Sequence, residues 1–218
     1  MAKAKPFRRT AWFALPPVAL SLACSVLGGS TAPPEEGVLF RDDFSDPSSG
    51  WDRVQTDEGV TDYASGEYRI LVQQTQHDYW ANPGRSFGDV RVEVDARKGG
   101  GPDDNDFGVI CRYQDTQNFY AFLISSDGYY AILKYSGGSS ETLGTDGMVS
   151  TDTVQQGNNT NHIRADCVGN TLTLYANGTM IHSTSDSTFS SGDVGLIAGT
   201  FDEPGADIYF DNFVVYQP

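Results

Sequence analysis

The stretch that most constrains the fold runs from Asp106 to Tyr135 and reads DFGVICRYQDTQNFYAFLISSDGYYAILKY. Three runs of apolar and aromatic residues are separated by short polar segments, a pattern that predicts three consecutive antiparallel strands. A short turn determines which residues of two strands lie opposite each other. The turns therefore also predict which side chains share a face.

A two-residue turn at Asp127-Gly128 and a four-residue loop at 114–117 give this unit two surfaces. The more apolar surface is predicted to face the core and contains Phe107, Val109, Cys111, Tyr113, Tyr120, Phe122, Ile124, Ala131, Leu133 and Tyr135. The other surface is predicted to face solvent and carries Arg112, Phe119, Tyr130 and Lys134.

A second hairpin supplies an independent register. A turn at Gly169-Asn170 pairs Cys167 with Leu172 and turns that apolar side toward the core. Cys111 and Cys167 are thus both predicted on the core side, and we expect a disulfide between them that contributes about 2–4 kcal/mol. The alternative is two buried free thiols, which pack as small apolar residues.

The rest of the chain indicates an all-β fold. Val90, Val92 and Val94 alternate with charged residues, and further turn signals lie at Asn177-Gly178. No convincing helical period is present. Many short strands between glycine- and asparagine-rich turns favour a two-sheet sandwich or a barrel.

The N-terminal segment resembles a targeting signal. A basic start precedes an apolar stretch from Ala11 to Leu22 that is too short to span a bilayer comfortably. The order Leu20-Ser-Leu-Ala-Cys24 resembles a bacterial lipobox. We therefore expect a lipoprotein signal peptide at 1–23, a lipidated Cys24, a flexible tether at 24–37 and one domain at 38–218. The alternative is an ordinary secretory signal with an incidental cysteine.

Charge restricts the partners. The whole chain carries −15, and removal of residues 1–23, with four basic and no acidic residues, leaves −19. Such a charge repels nucleic acid and anionic lipid headgroups, so we expect no nucleic-acid partner and membrane contact through the lipid anchor alone. We expect an exported cell-envelope protein that faces the periplasm or the cell exterior, and a monomer.

Several segments together resemble a known pattern. They are DDFSD at 42–46 with Trp51, GEYRI at 66–70, FGVICRY at 107–113, GYYAILKY at 128–135, IRADCVGNTLTLYANG at 163–178, VGLIAGTF at 194–201 and DNFVVY at 211–216. The chain is similar to the concanavalin A-like lectin/glucanase superfamily, nearest to three-keto-disaccharide-hydrolase-like domains of bacterial lipoproteins. The resemblance implies an antiparallel two-sheet jelly roll with adjacent first and last strands and a concave sheet that binds sugars. It does not decide the activity.

Residues 93–98 partly match a catalytic motif. The glucanases of this superfamily use Glu-x-Asp-x-x-Glu on a concave strand. Glu93 and Asp95 fit the first two positions, but Lys98 occupies the place of the final Glu, which removes the acid. The alternative interpretation, which we favour, is the polar side of an ordinary strand.

Two acidic groups are candidates for structural calcium, an ion that the superfamily often binds. One is the loop GGGPDDND at 99–106; the other combines Asp42, Asp43 and Asp211, because the terminal strands should be neighbours. A solvated loop or strand cap is the alternative for each. No other cofactor is expected.

The predicted function is a lipid-anchored, extracytoplasmic carbohydrate-binding or surface-interaction module without catalysis. The candidate ligand-binding residues are Arg112, Phe119, Tyr130, Lys134, Tyr79 and Trp80, because sugars stack on aromatic rings and bond to polar groups. One alternative is a hydrolase that acts on a glycoside or keto-sugar disaccharide. Another is a structural surface module that binds proteins.

Overall fold

The computed structural model describes residues 37–218, and in this range it contains seventeen strands and no helix. The strands are β1 (Val38–Asp42), β2 (Val54–Gln55), β3 (Gly59–Ala64), β4 (Glu67–Val72), β5 (His77–Ala81), β6 (Ser86–Phe87), β7 (Val90–Gly100), β8 (Asn105–Asp115), β9 (Asn118–Ile124), β10 (Tyr129–Ser136), β11 (Ser139–Thr142), β12 (Val149–Ser150), β13 (Asn161–Val168), β14 (Thr171–Ala176), β15 (Thr179–Ser185), β16 (Gly192–Thr200) and β17 (Ala206–Tyr216). The predicted signal peptide, Cys24 and most of the tether lie outside the described residues. Within the described range no helix is long and apolar enough to cross a membrane.

The strands form two antiparallel sheets. Sheet A has the order β15-β14-β13-β7-β17-β4-β3-β2, with β1 paired to β17. Sheet B has the order β11-β10-β9-β8-β16-β5, with β12 paired to β10 and β6 paired to β16. This confirms the predicted all-β jelly-roll sandwich, including the adjacent first and last strands.

The main core lies between the two sheets. It forms because successive side chains of a strand point to opposite faces, so that every second residue points inward. Strand β7 shows the pattern most clearly, since Val90, Val92 and Val94 are buried while the residues between them are partly exposed. The disulfide Cys111–Cys167 is present and joins β8 of sheet B to β13 of sheet A. The two sheets are therefore covalently linked across the core, as the two registers predicted.

Two of the three predicted registers are confirmed within the strands. Cys167 lies opposite Leu172 in the β13–β14 pair. Cys111 lies opposite Tyr120 in the β8–β9 pair. The β8–β9 connection itself differs, because Asp115 pairs with Asn118 and the ladder shifts between Cys111 and Asp115.

That shift corrects the prediction for Arg112. Arg112 has a left-handed backbone conformation (φ 54°) within the bulged segment, and its side chain is only 1% exposed. Its guanidinium donates hydrogen bonds to the Phe189 carbonyl oxygen at 2.8 Å and to Asp89 at 3.0 Å. Arg112 is therefore a buried structural contact rather than part of a solvent-facing surface.

The predicted register of β9 against β10 is wrong by one residue. Ile124 pairs with Tyr130 and Phe122 with Ile132, so the connection contains more than the Asp127-Gly128 dipeptide. Asn105 holds this connection, because its side-chain oxygen accepts from the Ser126 amide at 3.1 Å. A shift of one residue moves every side chain of a strand to the other face.

The shift corrects the positions of Tyr130 and Lys134. Both lie on the inward side of sheet B, where Tyr130 packs against the main core and Lys134 pairs with Asp186 at 2.9 Å. Leu133 and Tyr135, predicted to face the core, lie instead on the opposite face with Phe119. Tyr113, also predicted to face the core, lies on that face as well, because the ladder shifts between Cys111 and Asp115. The predicted surface of Arg112, Phe119, Tyr130 and Lys134 does not exist as one face.

Sheet B is strongly curled. The hydroxyl of Tyr135 on β10 donates to a carboxylate oxygen of Asp78 on β5 at 2.5 Å. Four strand spacings of about 4.8 Å each would separate these strands by roughly 19 Å in a flat sheet, too far for this contact. The outer face of sheet B is therefore concave, and β5 and β10 approach each other across it.

Candidate functional site

An aromatic cluster occupies the concave face of sheet B. Phe119 on β9 is its centre, with ring centroids 4.3 Å from Tyr135, 5.5 Å from Trp80 and 5.6 Å from Tyr113. Phe119 is 0% exposed, whereas the three surrounding rings are only partly buried. The curl explains this arrangement, because it brings rings from β5, β8 and β10 over a side chain on β9.

Beneath these rings lies a second apolar core, separate from the main core. It consists of Ile110, Phe119, Ala121, Leu123 and Ile197, and we call it the concave cluster. Much of the concave face is thus filled by the protein's own side chains. A ligand would have to bind at the rim of the concave cluster rather than along its floor.

A cavity of about 420 Å³ lies at this rim, beside the end strand β5, and we call it the edge pocket. Its lining residues are Asp52, Arg53, Val54, His77, Asp78, Tyr79, Trp80, Tyr113 and Thr116. The volume lies within the range of small-molecule sites, and the lining combines aromatic rings with groups that can donate and accept hydrogen bonds. Such a lining suits a ligand with flat apolar faces and hydroxyl groups.

Local contacts fix the walls of the edge pocket. Arg53 donates two hydrogen bonds to Asp62, at 2.7 and 3.1 Å, which orients its guanidinium. The ring of Tyr79 lies directly over Gly59, where a Cβ would come to 2.5 Å from the ring. Glycine at this position of β3 is therefore required for the Tyr79 ring to occupy its place against the main core.

Two carboxyl groups meet beside the edge pocket. Asp78 on β5, Gly199 on β16 and Asp106 on β8 are direct neighbours in one row across sheet B. An ideal Cβ at Gly199 would overlap an oxygen of Asp78 and come to 2.6 Å from an oxygen of Asp106. The missing side chain of Gly199 is the space that both carboxyl groups use.

The Asp78–Asp106 pair is electrostatically unusual. Asp106 is 6% exposed, and its Oδ1 atom has no hydrogen-bond partner. Burial raises the pKa of Asp106 well above the ordinary aspartate value, and the charges of Asp78 and Asp104 raise it further. Burial also raises the pKa of Asp78, against the opposing effect of the Tyr135 hydrogen bond. Burial and the neighbouring charges therefore disfavour the ionised form of Asp106 more strongly than that of Asp78, whose Tyr135 hydrogen bond favours the carboxylate.

The six predicted ligand-binding residues separate into two sets. Trp80 and Tyr79 line the edge pocket, and Phe119 lies beneath it in the concave cluster. Arg112, Tyr130 and Lys134 lie elsewhere, as described above. Ligand binding by any of the six stays a prediction.

The acidic calcium candidates have local partners. Asp42 accepts from the Trp51 indole at 2.9 Å and from the Phe44 amide at 2.8 Å, and Asp43 accepts from Ser45. Among residues 37–218 no group of three or more His, Cys, Asp or Glu side chains could hold a metal ion. Calcium binding by Asp42, Asp43 and Asp211, or by the loop at 99–106, stays a prediction.

Glu93 and Asp95 lie on β7 of sheet A, not on the concave sheet. Asp95 contacts His162 at 2.8 Å, and Glu93 lies 3.4 Å from the same imidazole. These contacts are those of a charged outer face of a sheet, in line with the interpretation that we favour.

Of the residues that line the edge pocket, only Tyr79 and Trp80 were predicted as site residues from the sequence. Asp78, Tyr113 and Tyr135 were not, and Asp106 was considered only as part of an acidic loop. Asp78 gave one available signal, since it alternates with Trp80 on a short strand. Nothing local could place Tyr135 beside Asp78, because their contact depends on the curl of the whole sheet.

Comparison with known proteins gives the fold. No family model and no curated protein matches the sequence. Among solved structures, the carbohydrate-binding module CBM66 from Bacillus subtilis has a TM-score of 0.59 at 18% identity, over 77% of this chain and 96% of that chain. A beta-glucanase from Bacillus licheniformis has a TM-score of 0.59 at 12% identity, over 84% and 100%.

A GlcNAcα1-4Gal-releasing endo-β-galactosidase from Clostridium perfringens has a TM-score of 0.60 at 10% identity, over 86% of this chain and 65% of that chain. Identities this low establish a shared fold and leave the activity open. The narrower likeness to three-keto-disaccharide-hydrolase-like domains stays a prediction. These structures confirm the two-sheet jelly-roll fold that the strand motifs and the resemblance implied.

Proposed function

We propose that this protein is an exported, lipid-anchored module that binds carbohydrate in the edge pocket without catalysis. The observation that carries the proposal is the joint presence of Trp80, Tyr113 and Asp78 in the lining of one cavity. A sugar ring can stack on an indole or phenol face while its hydroxyls bond to a carboxylate or guanidinium. The carbohydrate-binding module among the structural neighbours supports this choice.

The ligand class follows from the charge of the lining. Asp52 and Asp78 outweigh the single guanidinium of Arg53, which is already paired with Asp62. A neutral oligosaccharide therefore fits better than a sulfated or uronic-acid polymer, which the protein's overall charge of −15 would also repel.

Export and anchoring rest on separate support. The Cys111–Cys167 disulfide is a bond that persists in oxidising compartments outside the cytoplasm. The lipobox-like sequence that ends at Cys24 supports the anchor. Metabolic labelling with a fatty-acid analogue tests this part, with Cys24→Ala as the variant that must lose the label.

The binding proposal predicts that Trp80→Ala lowers affinity for the bound glycan at least tenfold, a loss of about 1.4 kcal/mol. The measurement is a neutral-glycan array with the purified protein, followed by calorimetry on the best ligand. Tyr175→Ala is the matched control, because Tyr175 is a partly buried aromatic residue on sheet A, beneath Arg164. Absence of binding across the array, or equal loss in both variants, would contradict the proposal.

A second candidate function is favoured by the Asp78–Asp106 pair. Their facing oxygens are closer together than the about 5–5.5 Å that separates the carboxyl groups of retaining glycosidases. One ionised and one neutral carboxyl group is also the combination that such a reaction uses. Hydrolysis of an oligosaccharide that is abolished by both Asp78→Asn and Asp106→Asn would establish this hydrolase in place of the binding module.

A further inference from the structure

Polar side chains from three strands of the curled sheet meet over a glycine of a fourth strand. Asp78 on β5 and Asp106 on β8 face each other over Gly199 of β16, and Tyr135 on β10 donates to Asp78 at 2.5 Å. This is a hydrogen bond between β5 and β10, which the order of sheet B separates by three strands. The contact therefore closes the curl that forms the concave face.

The Asp106 oxygen that faces this contact lacks a partner. Asp106 Oδ1 is buried without a hydrogen bond, a costly state for an ionised carboxylate. A proton between Asp106 and Asp78 removes this cost, because a neutral Asp106 can donate to the ionised Asp78. Asp78 then accepts from both Asp106 and Tyr135.

We propose that Asp78 and Asp106 hold a single proton between them, that this proton keeps the curl of sheet B closed, and that its loss as pH rises loosens the curl and weakens ligand binding in the edge pocket. The effect on binding rests on the proposed function, whereas the effect on the curl does not.

The consequence of losing the proton follows from electrostatics. Two carboxylates would then face each other in a water-poor site, and neither could donate a hydrogen bond to the other. Repulsion would drive Asp78 away from Asp106, and Asp78 is the group that Tyr135 holds. The edge pocket would change, because Asp78 and Trp80 of β5 form one wall and Tyr113 of β8 forms another.

Other ionisable groups set the pH at which this occurs. His77 lies next to Asp78 on β5 and lowers its pKa, and Asp104, from the segment before β8, raises the pKa of Asp106. Burial and the two carboxyl groups raise the pKa of Tyr135, so its hydroxyl remains a donor. Asp52 and Arg53 share the edge pocket with Asp78 from the loop before β2. Gly199 of β16 lies directly between the two aspartates in the row and contributes no charge.

The ligand-free experiment is a pH titration of the purified protein by NMR, from about pH 4 to pH 9, which spans ordinary and raised carboxyl pKa values. The carboxyl carbons of the aspartates report the proton, and the Trp80 indole and Gly199 amide report the curl. We expect the Asp106 carbon, the Trp80 indole and the Gly199 amide to change at one common midpoint above the ordinary aspartate range.

Variants distinguish the loss of the proton between Asp78 and Asp106 from the titration of other groups. Asp106→Asn keeps the shape and should abolish the Trp80 transition. Asp78→Asn should move the Asp106 midpoint to lower pH, because the neighbouring charge is gone. Asp95→Asn on sheet A should change nothing. A titration midpoint of Asp106 within the ordinary aspartate range would overturn the inference. A Trp80 transition that persists in Asp106→Asn would also overturn it.

The ligand experiment uses the best neutral glycan from the array. We expect wild-type affinity to fall at least threefold across the midpoint and the affinity of Asp106→Asn to stay constant. A pH-independent wild-type affinity would overturn the link to binding. If no glycan binds while the ligand-free transition is present, the proposed function is wrong, but the inference that the shared proton keeps the curl of sheet B closed is supported.

Discussion

At the scale of single residues, Asp106 is the group whose burial most needs explanation. A buried carboxyl group with an unpartnered oxygen opposes folding whenever it is ionised. The raised pKa of Asp106 expresses the same cost, because it measures how much the folded protein disfavours the ionised carboxylate. The residue is therefore expected to lower stability at neutral pH.

Asp106→Asn should remove this cost and so change how the free energy of unfolding depends on pH. The folded pKa of Asp106 lies above the unfolded value, so its stabilising protonation is complete below the unfolded pKa and is lost as pH rises through the folded pKa. The variant should match wild type near about pH 3.5 and become progressively more stable than wild type toward neutral pH. Urea unfolding at several pH values measures the difference. A variant less stable than wild type at neutral pH would contradict this account.

Arg112 shows where prediction from residue type fails. Simple alternation along β8 assigned it to solvent, but a bulge with φ 54° directs its guanidinium to Asp89 and the Phe189 carbonyl. The partners lie 23 and 77 residues away in sequence. Local periodicity carries no information about such distant acceptors.

At the scale of elements, registers were predictable where the turn was simple. The Gly169-Asn170 turn gave the β13–β14 pairing correctly, because a two-residue hairpin leaves one choice. The Asp127-Gly128 dipeptide suggested the same geometry, yet Asn105 holds a longer connection there. Since Asn105 lies outside that hairpin, its effect could not be inferred from the hairpin sequence.

This error also limited how much of the candidate site could be predicted. Trp80 was identified from residue type and Phe119 from the predicted β8–β9 register, and the structure brings their rings to 5.5 Å. Tyr135 was assigned to the wrong face by the one-residue shift, although it stacks on Phe119 and bonds to Asp78. The fold was thus predictable from strand patterns, whereas the site depends on the β9–β10 register, on the bulge in β8 and on the curl of sheet B.

Strand β16 offers a direct test of the carboxyl pair. Gly199→Ala adds a Cβ that overlaps Asp78 and crowds Asp106, so one or both carboxyl groups must move. We expect a loss of roughly 1–3 kcal/mol in unfolding free energy, as for other overpacked sites. Gly88→Ala is the control, because an added Cβ there meets no atom within 4 Å.

The outcome has a local signature besides stability. Gly199→Ala should also shift the Trp80 indole resonance, since Asp78 and Trp80 lie on the same strand and the same face. Denaturant unfolding and the indole signal together measure the effect. Equal behaviour of Gly199→Ala and Gly88→Ala would show that the carboxyl groups do not use the space over Gly199.

At the scale of the whole molecule, the protein has two apolar cores with different roles. The main core joins sheets A and B, whereas the concave cluster is enclosed by sheet B alone. The first should control global stability, and the second should control the geometry of the edge pocket. Variants in the two cores should therefore have separable effects on unfolding and on binding.

The Cys111–Cys167 disulfide tests that separation. It joins the two sheets through the main core and links residues 56 positions apart in sequence. The double variant Cys111→Ala/Cys167→Ala should lower the unfolding free energy by about 2–4 kcal/mol, because the unfolded chain regains freedom that the crosslink removes. Urea unfolding of wild type with and without reductant provides the matched comparison.

The same variant should leave the edge pocket intact at temperatures well below its unfolding transition. Neither cysteine faces the concave side of sheet B, so the Trp80 indole resonance and the affinity for a glycan should remain at wild-type values. Loss of binding without global unfolding would show that the two sheets are coupled through the crosslink. Unchanged binding with lower stability would establish that the curl of sheet B is maintained by its own contacts, the Tyr135–Asp78 hydrogen bond among them.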